Sequence, residues 1–103
     1  MSAAQVLREA ADYIEKYGWC QRRYENARGC CCTLGALAKV VSGNSNPLVL
    51  SVFNGDFATY TEAKIALSPG VGWMPIDVWN DSPDQTAENV ISTMRSVADE
   101  LDA

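Results

Sequence analysis

The residues with the most varied chemistry in this chain are its four cysteines, Cys20, Cys30, Cys31 and Cys32. Thiolates bind zinc, but a tetrahedral site usually takes ligands paired about two to four residues apart, and three adjacent cysteines point in different directions. Disulfides need an oxidising compartment, which nothing in the sequence indicates. We therefore interpret the cysteines as small, partly buried thiols in a reduced cytosol. Zinc, disulfides and one reactive thiol are the alternatives.

The reactive-thiol alternative concerns Cys32, which precedes a predicted helix. The positive end of a helix dipole lowers the pKa of a thiol in that position. The chain has no histidine, so it lacks the usual general base near neutral pH and the commonest metal ligand. It also has no Cys-His pair, phosphate-binding loop or nucleophile elbow. We predict that the protein is not an enzyme and takes no metal or other cofactor.

An acidic block with a large aromatic, Trp79, lies just before the last predicted helix. Its oxygen-bearing side chains are Asp77, Asn80, Asp81 and Asp84. They lack the alternation, glycine and distant glutamate of a calcium loop. Helix capping and compensation of the helix dipole explain Asp81 and Asp84, with partner contact and cation binding as alternatives. We expect Trp79 to fill the core rather than to stack on a ligand.

Charge is unevenly distributed along the chain, whose formal net charge is -5. Residues 1–46 carry six basic and four acidic side chains, whereas residues 47–103 carry two basic and nine acidic ones. The one basic cluster is Arg22, Arg23 and Arg28. The acidic second half argues against nucleic acid, because phosphate binding needs clustered Lys and Arg. A solvated loop is the simpler interpretation of the cluster, and a patch for an acidic partner or nucleic acid is the alternative.

Apolar residues recur at helical spacing over three segments, residues 3–17, 33–41 and 87–101. Ser2 is the predicted N-cap of the first helix, and Ser82 and Thr86 are alternative N-caps of the last. In the second, Gly35 permits close approach of a neighbouring helix. We expect these three helices to pack together.

The middle of the chain carries weaker helix signals. Asn46-Pro47 predicts the start of a short apolar helix over residues 48–53, which Asn54-Gly55 ends. Residues 59–62 form a predicted capping box for a further helix, which Ser68-Pro69-Gly70 ends.

Two segments lack a helical pattern. Residues 19–32 are equally compatible with a small β-hairpin and with an irregular loop. Residues 71–78 are expected to form a folded-back loop or one helical turn, with Trp73 and Trp79 anchoring it to the core. The predicted fold class is therefore mainly α, with four to five helices in one compact domain over residues 1–103, with or without the hairpin.

No apolar run approaches the roughly 20 residues of a membrane span. The N-terminal residues also lack the basic and apolar regions of a signal peptide. We expect no membrane contact and a cytoplasmic location.

Three sequence blocks together resemble a family of proteins. The blocks are Gly18-Trp19-Cys20, residues 32–37 (Cys-Thr-Leu-Gly-Ala-Leu), and Trp79-Asn80-Asp81-Ser82-Pro83 followed by Thr86-Ala87-Glu88-Asn89-Val90. They resemble a group of small actinobacterial and actinophage (mycobacteriophage-like) proteins of uncharacterised function. The resemblance implies a compact helical domain and a phage or actinobacterial origin, and it supplies no catalytic residues. Its motif residues are Trp19, Cys32, Trp79, Asn80, Asp81 and Thr86, while Cys30 and Cys31 depart from its pattern.

These observations lead to one functional prediction, a non-enzymatic phage accessory protein that binds a host protein in the host cytoplasm. The candidate contact residues are Arg22, Arg23, Tyr24 and Arg28, because interfaces favour tyrosine and arginine. A homo-oligomer is a further partner to consider. The alternative functions are a cysteine-dependent metal-binding or redox module and a weak nucleic-acid binder acting through Arg22, Arg23 and Arg28.

Overall fold

The computed structural model describes residues 1–103, in which five α-helices and two short 3₁₀ turns surround one core. The helices are α1 (Ala3–Tyr17), α2 (Thr33–Ser42), α3 (Asp56–Leu67), α4 (Ile76–Asn80) and α5 (Ala87–Leu101). The 3₁₀ turns span Pro47–Val49 and Ser68–Val71. The predicted mainly α class is confirmed. None of the helices combines the length and apolar character that crossing a membrane requires.

Local capping explains where the longest helices begin. Ser2 accepts a hydrogen bond from the backbone N–H of Gln5 (3.1 Å), but the Gln5 side chain donates to Glu9 instead of completing a capping box. Thr86 accepts from the backbone N–H of Asn89 (3.1 Å), so it is the N-cap of α5. The predicted helices over residues 3–17 and 87–101 are confirmed, and α2 extends one residue beyond its predicted end.

The first and last helices pack antiparallel and form the most extensive helix contact of the fold. Charged side chains pair across them, Arg8 with Asp99 and Asp102, and Arg95 with Asp12 and Glu15. The pairs run in opposite order along the two helices, as an antiparallel arrangement requires. Their carboxylates are more than half exposed, so these pairs align the helices more than they stabilise the fold. The core beneath them takes apolar side chains from all five helices.

Residues 18–32 form an irregular loop, so the hairpin alternative is wrong. Cys31 makes the only two bridges, a parallel one with Trp19 and an antiparallel one with Glu25. A hairpin needs several successive residue pairs between two strands, whereas here Cys31 alone forms both bridges, one with Trp19 and one with Glu25. The loop therefore depends on contacts with the rest of the protein for its shape.

Gly35 allows this loop to lie directly on α2. The carbonyl oxygen of Tyr24 accepts a hydrogen bond from the backbone N–H of Cys32 (3.2 Å). A Cβ atom on Gly35 would lie 2.0 Å from that oxygen. The close approach that the sequence predicted at Gly35 is real, but its partner is a loop and not a helix.

The predicted helix over residues 48–53 is wrong, because only the turn at Pro47–Val49 forms. The next helix, α3, begins at Asp56, three residues before the predicted capping box at Thr59. Asn54 accepts from the backbone N–H of Asp56 (3.0 Å), and Gly55 has a left-handed backbone (φ 86°). Asn-Gly thus begins a helix here instead of ending one, since the same turn chemistry serves either end.

Trp73 does not anchor the core, contrary to the prediction from the sequence. Its side chain is 74% exposed, whereas Trp79 on α4 is 9% exposed. The backbone N–H of Trp73 donates to the carbonyl of Ser68 (2.9 Å), which closes the end of the second 3₁₀ turn. This closure gives Trp73 a left-handed backbone (φ 65°) and leaves its indole in solvent.

We predict that Gly35→Ala lowers the free energy of unfolding by about 3 kcal/mol, the upper end of the range for overpacking, because the new methyl group meets backbone. Urea denaturation measures the change. Gly70→Ala is the matched control, since its Cβ would meet one side-chain methyl of Val97 at 2.5 Å and not backbone. We expect the control to lose about 1 kcal/mol, the lower end of that range. Equal losses in the two variants would contradict the close packing of the loop on α2.

Candidate functional site

The side-chain amide of Asn80, at the end of α4, joins three parts of the fold and is 1% exposed. Its Oδ1 accepts from the Trp19 indole N–H (2.8 Å), and from the backbone N–H (2.9 Å) and hydroxyl (2.7 Å) of Thr33. Its Nδ2 donates to the carbonyl of Cys20 (3.2 Å) and to the carboxylate of Asp81 (3.0 Å). Asn80 therefore holds the loop of residues 18–32 and the start of α2 against α4.

Asp81 extends this network toward the basic cluster. Its carboxylate accepts a hydrogen bond from the backbone N–H of Arg22 (2.9 Å). Gln21 donates from its side chain to the carbonyls of Asn80 (3.1 Å) and Ser82 (3.0 Å). Arg22 is held with a left-handed backbone (φ 68°) and an exposed side chain. Asp81 thus positions a loop. The prediction that it caps α5 is wrong, because Thr86 is the N-cap.

A cleft of about 320 Å³ lies beside the Asn80 network. Its lining includes Arg22, Arg23 and Tyr24, three of the four candidate contact residues from the sequence, whereas Arg28 does not line it. Neither Arg22 nor Arg23 forms an ion pair. The cleft therefore has two exposed, unpaired guanidinium groups at its edge.

A second cleft, of about 370 Å³, adjoins the first because Leu34 and Asp77 line both. Its apolar lining includes Ile65, Trp73 and Met74, which are 64%, 74% and 42% exposed. We call the two clefts together the Arg–Trp groove, with Arg22 and Arg23 in its basic part and these three side chains in its apolar part. The sequence did not predict the apolar part, because its pattern placed Trp73 in the core and gave no signal that Ile65 is exposed.

The largest cleft, about 570 Å³, lies elsewhere, between the second 3₁₀ turn and α5. Its lining is mostly small residues, among them Gly70, Ser92, Thr93 and Ser96, with Glu100 as its one charged group. It offers neither an aromatic anchor nor a cluster of charges. The Arg–Trp groove is therefore the better candidate site, although each of its two clefts has a smaller volume than this one.

The four cysteines are all free and do not form a cluster with other ligand side chains. No group of three or more Cys, Asp or Glu residues is arranged to hold a metal ion. Burial raises the pKa of Cys31 and of Cys32 to about 11 in each case, and it also raises the pKa of Cys20. Cys32 does cap α2, where its sulfur accepts from the backbone N–H of Gly35 (3.3 Å). Its place at a helix start therefore does not make it a thiolate at neutral pH.

The comparison with known families gives one match. Residues 1–100 match a family that is described as a family of unknown function (DUF6197), and the chain belongs to that family. No curated protein and no solved structure matches the chain.

We predict that Asn80→Asp destabilises the protein in a pH-dependent way. One oxygen of the new carboxyl group would face the Cys20 carbonyl and the Asp81 carboxylate, which together with burial disfavour its charged form. The other oxygen would keep the donors from Trp19 and Thr33, which oppose this effect in part. Its pKa in the folded state would rise above the unfolded value of about 3.9, so the added destabilisation should be smallest below about pH 4 and grow as pH rises through the folded pKa. Above it we expect a loss of about 3 kcal/mol or more, because a buried charge then faces two acceptors that have lost their donor.

Urea denaturation across this pH range, compared with the wild type at each pH, measures the effect. Asn44→Asp is the control, because Asn44 is exposed and only its Oδ1 makes a side-chain hydrogen bond, to the backbone N–H of Asn46. A pH-independent difference for Asn80→Asp would contradict the donor role of Nδ2.

We also predict that iodoacetamide at pH 8 labels Cys31 and Cys32 of the folded protein far more slowly than Cys30. Both slow thiols are buried and protonated at that pH, since the pKa of each is about 11. Peptide mass spectrometry locates the label. Urea-unfolded protein is the control, in which all four cysteines should react at similar rates. Rapid labelling of Cys32 in the folded protein would revive the reactive-thiol alternative.

Proposed function

We propose that this member of the family is a non-enzymatic protein-binding module that contacts its partner through the Arg–Trp groove. One observation carries the proposal. Arg22 and Trp73 are the only non-glycine residues with a left-handed backbone, and both place exposed side chains in this groove. A left-handed backbone costs a residue with a side chain about 1–2 kcal/mol, which glycine avoids. Strain of this kind is concentrated at functional sites.

The composition of the groove supports a protein partner. Protein interfaces are enriched in tryptophan, tyrosine, methionine and arginine, and the groove includes Trp73, Tyr24, Met74 and Arg22. Single exposed apolar residues are normal on protein surfaces. One groove that contains several exposed apolar residues together with unpaired arginines is stronger evidence for a binding surface than single exposed residues are.

The groove is less suited to catalysis or to nucleic acid. It has no histidine, and its one thiol, Cys32, has a pKa of about 11, so it lacks both the commonest general base and a thiolate nucleophile at neutral pH. Asp77 and Asp81 line the same cleft as the two arginines, and a nucleic-acid backbone, which carries a charge at every phosphate, could not avoid them. The absence of a metal-binding cluster likewise gives no support to the cysteine-dependent module.

We propose further that the partner is a protein of a host cell. The three sequence blocks that resemble actinobacterial and actinophage proteins support a phage accessory role, with a host protein as the partner. The four free cysteines are compatible with the reducing cytoplasm of such a host.

Self-association is a second candidate, and a different surface favours it. Residues 48–57, which end in the first two residues of α3, expose the apolar side chains Leu48, Val49, Val52, Phe53 and Phe57. Asp56 is the only charged residue among them. In a twofold dimer a surface patch contacts its own copy, so a nearly uncharged patch meets little like-charge repulsion. Sedimentation equilibrium of the wild type and of Val52→Ser/Phe53→Ser tests this candidate, which fails if both are monomers.

We predict that Trp73→Gly abolishes capture of the partner while the free energy of unfolding stays the same or rises by about 1 kcal/mol. The stability gained by relieving the left-handed backbone is offset in part, because glycine raises the conformational entropy of the unfolded chain. Affinity capture from an actinobacterial lysate with quantitative mass spectrometry, together with urea denaturation, measures both quantities.

Tyr17→Ser is the matched control for this capture, because Tyr17 is an aromatic side chain outside both the groove and the self-association patch and is 51% exposed. The control should leave the captured protein bound. The proposal fails if Trp73→Gly retains every protein that the wild type captures, or if the two variants lose the same proteins.

A further inference from the structure

We propose that the Arg–Trp groove binds a helical segment of its partner in which apolar anchors are followed by carboxylates. This inference rests on the proposed function and specifies the partner's chemistry. The two parts of the groove differ in what they can bind, and their order along the groove sets the order of groups on the ligand.

The basic part selects for carboxylates. Of the five arginines in the chain, Arg8 and Arg95 pair with acids between α1 and α5, whereas Arg22 and Arg23 have no acidic partner. The chain has 13 acidic side chains, so the lack of pairing is not due to a shortage of acids. A guanidinium group binds a carboxylate through two parallel hydrogen bonds, which makes the pair directional.

Asp77 and Asp81 restrict where the carboxylates of the ligand can lie. Asp81 already accepts hydrogen bonds from the Asn80 side chain and the Arg22 backbone. Asp77 is exposed where the two clefts join, and it would repel an acidic group placed there. The cleft as a whole has as many aspartates as arginines, so the acidic groups of the ligand fit directly against the guanidinium groups of Arg22 and Arg23, away from Asp77 and Asp81.

The apolar part supplies the anchor. Trp73, Ile65 and Met74 are each more than 40% exposed, so their side chains have apolar surface left to bury. Lys64 also lines this part, but its ammonium group lies over the Tyr60 ring, 5.2 Å from the ring centroid. Aromatic side chains at interfaces often carry much of the binding energy, and methionine adapts to ligands of different shape. We expect leucine, isoleucine or phenylalanine side chains of the ligand to occupy this part.

A helical ligand fits the architecture around the groove. Side chains of three helices line it, with Leu34 on α2, Ile65 on α3 and Asp77 on α4. Amphipathic helices commonly bind in apolar grooves of this kind. The protein has no β-strand, so it offers no sheet edge to which an extended ligand could add.

Peptide selection on the full-length protein tests the inference. A display library of random peptides of about 15 residues allows roughly four helical turns. We expect the enriched peptides to combine apolar residues at helical spacing with Asp or Glu toward one end. The affinity of a synthetic selected peptide should fall about tenfold or more in Trp73→Gly and in Arg22→Glu/Arg23→Glu, measured by fluorescence anisotropy. The corresponding peptide with Lys in place of its acids should bind the charge-reversed variant better than the wild type.

Arg28→Glu is the matched control, because Arg28 is an exposed, unpaired arginine of the same loop that does not line the groove. It should bind the selected peptide as the wild type does, and urea denaturation should show that all variants are folded. The inference is overturned if no peptide is enriched, if the peptides are proline-rich or lack acids, or if charge reversal leaves affinity unchanged. The proposed function survives that result if the lysate capture still depends on Trp73, and both fail if it does not.

Discussion

The side-chain amide of Asn80 is the interaction on which the arrangement of the candidate site depends. The loop of residues 18–32 has no regular secondary structure, so its position is set by bonds to the rest of the protein. Asn80 provides the central ones, as acceptor for Trp19 and Thr33 and as donor to Cys20 and Asp81. An amide is suited to this place because it both donates and accepts, whereas a carboxylate only accepts. No buried side-chain nitrogen or oxygen of the protein lacks a partner, which is consistent with a fully satisfied network.

The helical core and the proposed binding groove occupy different parts of the molecule. The antiparallel helices α1 and α5, with α2 and α3, supply most of the buried core. The two residues of the Arg–Trp groove with a left-handed backbone, Arg22 and Trp73, lie in segments between helices. The local causes of this conformation differ, since Asp81 holds the backbone of Arg22 and the end of a 3₁₀ turn holds that of Trp73. A rigid helical frame tolerates such strain and keeps both side chains exposed.

The cysteines show how burial can outweigh a local electrostatic effect. A helix dipole contributes about 0.3–1 kcal/mol to a charge at its terminus, which would favour a Cys32 thiolate. Burial opposes it and raises the pKa of Cys32 from 9.0 to about 11, a net shift that corresponds to about 3 kcal/mol. The thiol instead serves as a weak acceptor at the start of α2. The position of a cysteine in the sequence is therefore a poor guide to its reactivity unless its burial is also known.

The sequence by itself determined the helical class and the three helices α1, α2 and α5, because apolar periodicity and capping residues act within a few positions of each other. It did not determine the start of α3, since Asn54-Gly55 has turn chemistry that suits either end of a helix. Nor did it determine the exposure of Trp73 or the groove, in which Arg22 meets residues more than 50 positions away, such as Asp81. Only the tertiary structure decided these features, because burial and long-range hydrogen bonds depend on which segments the helices bring together.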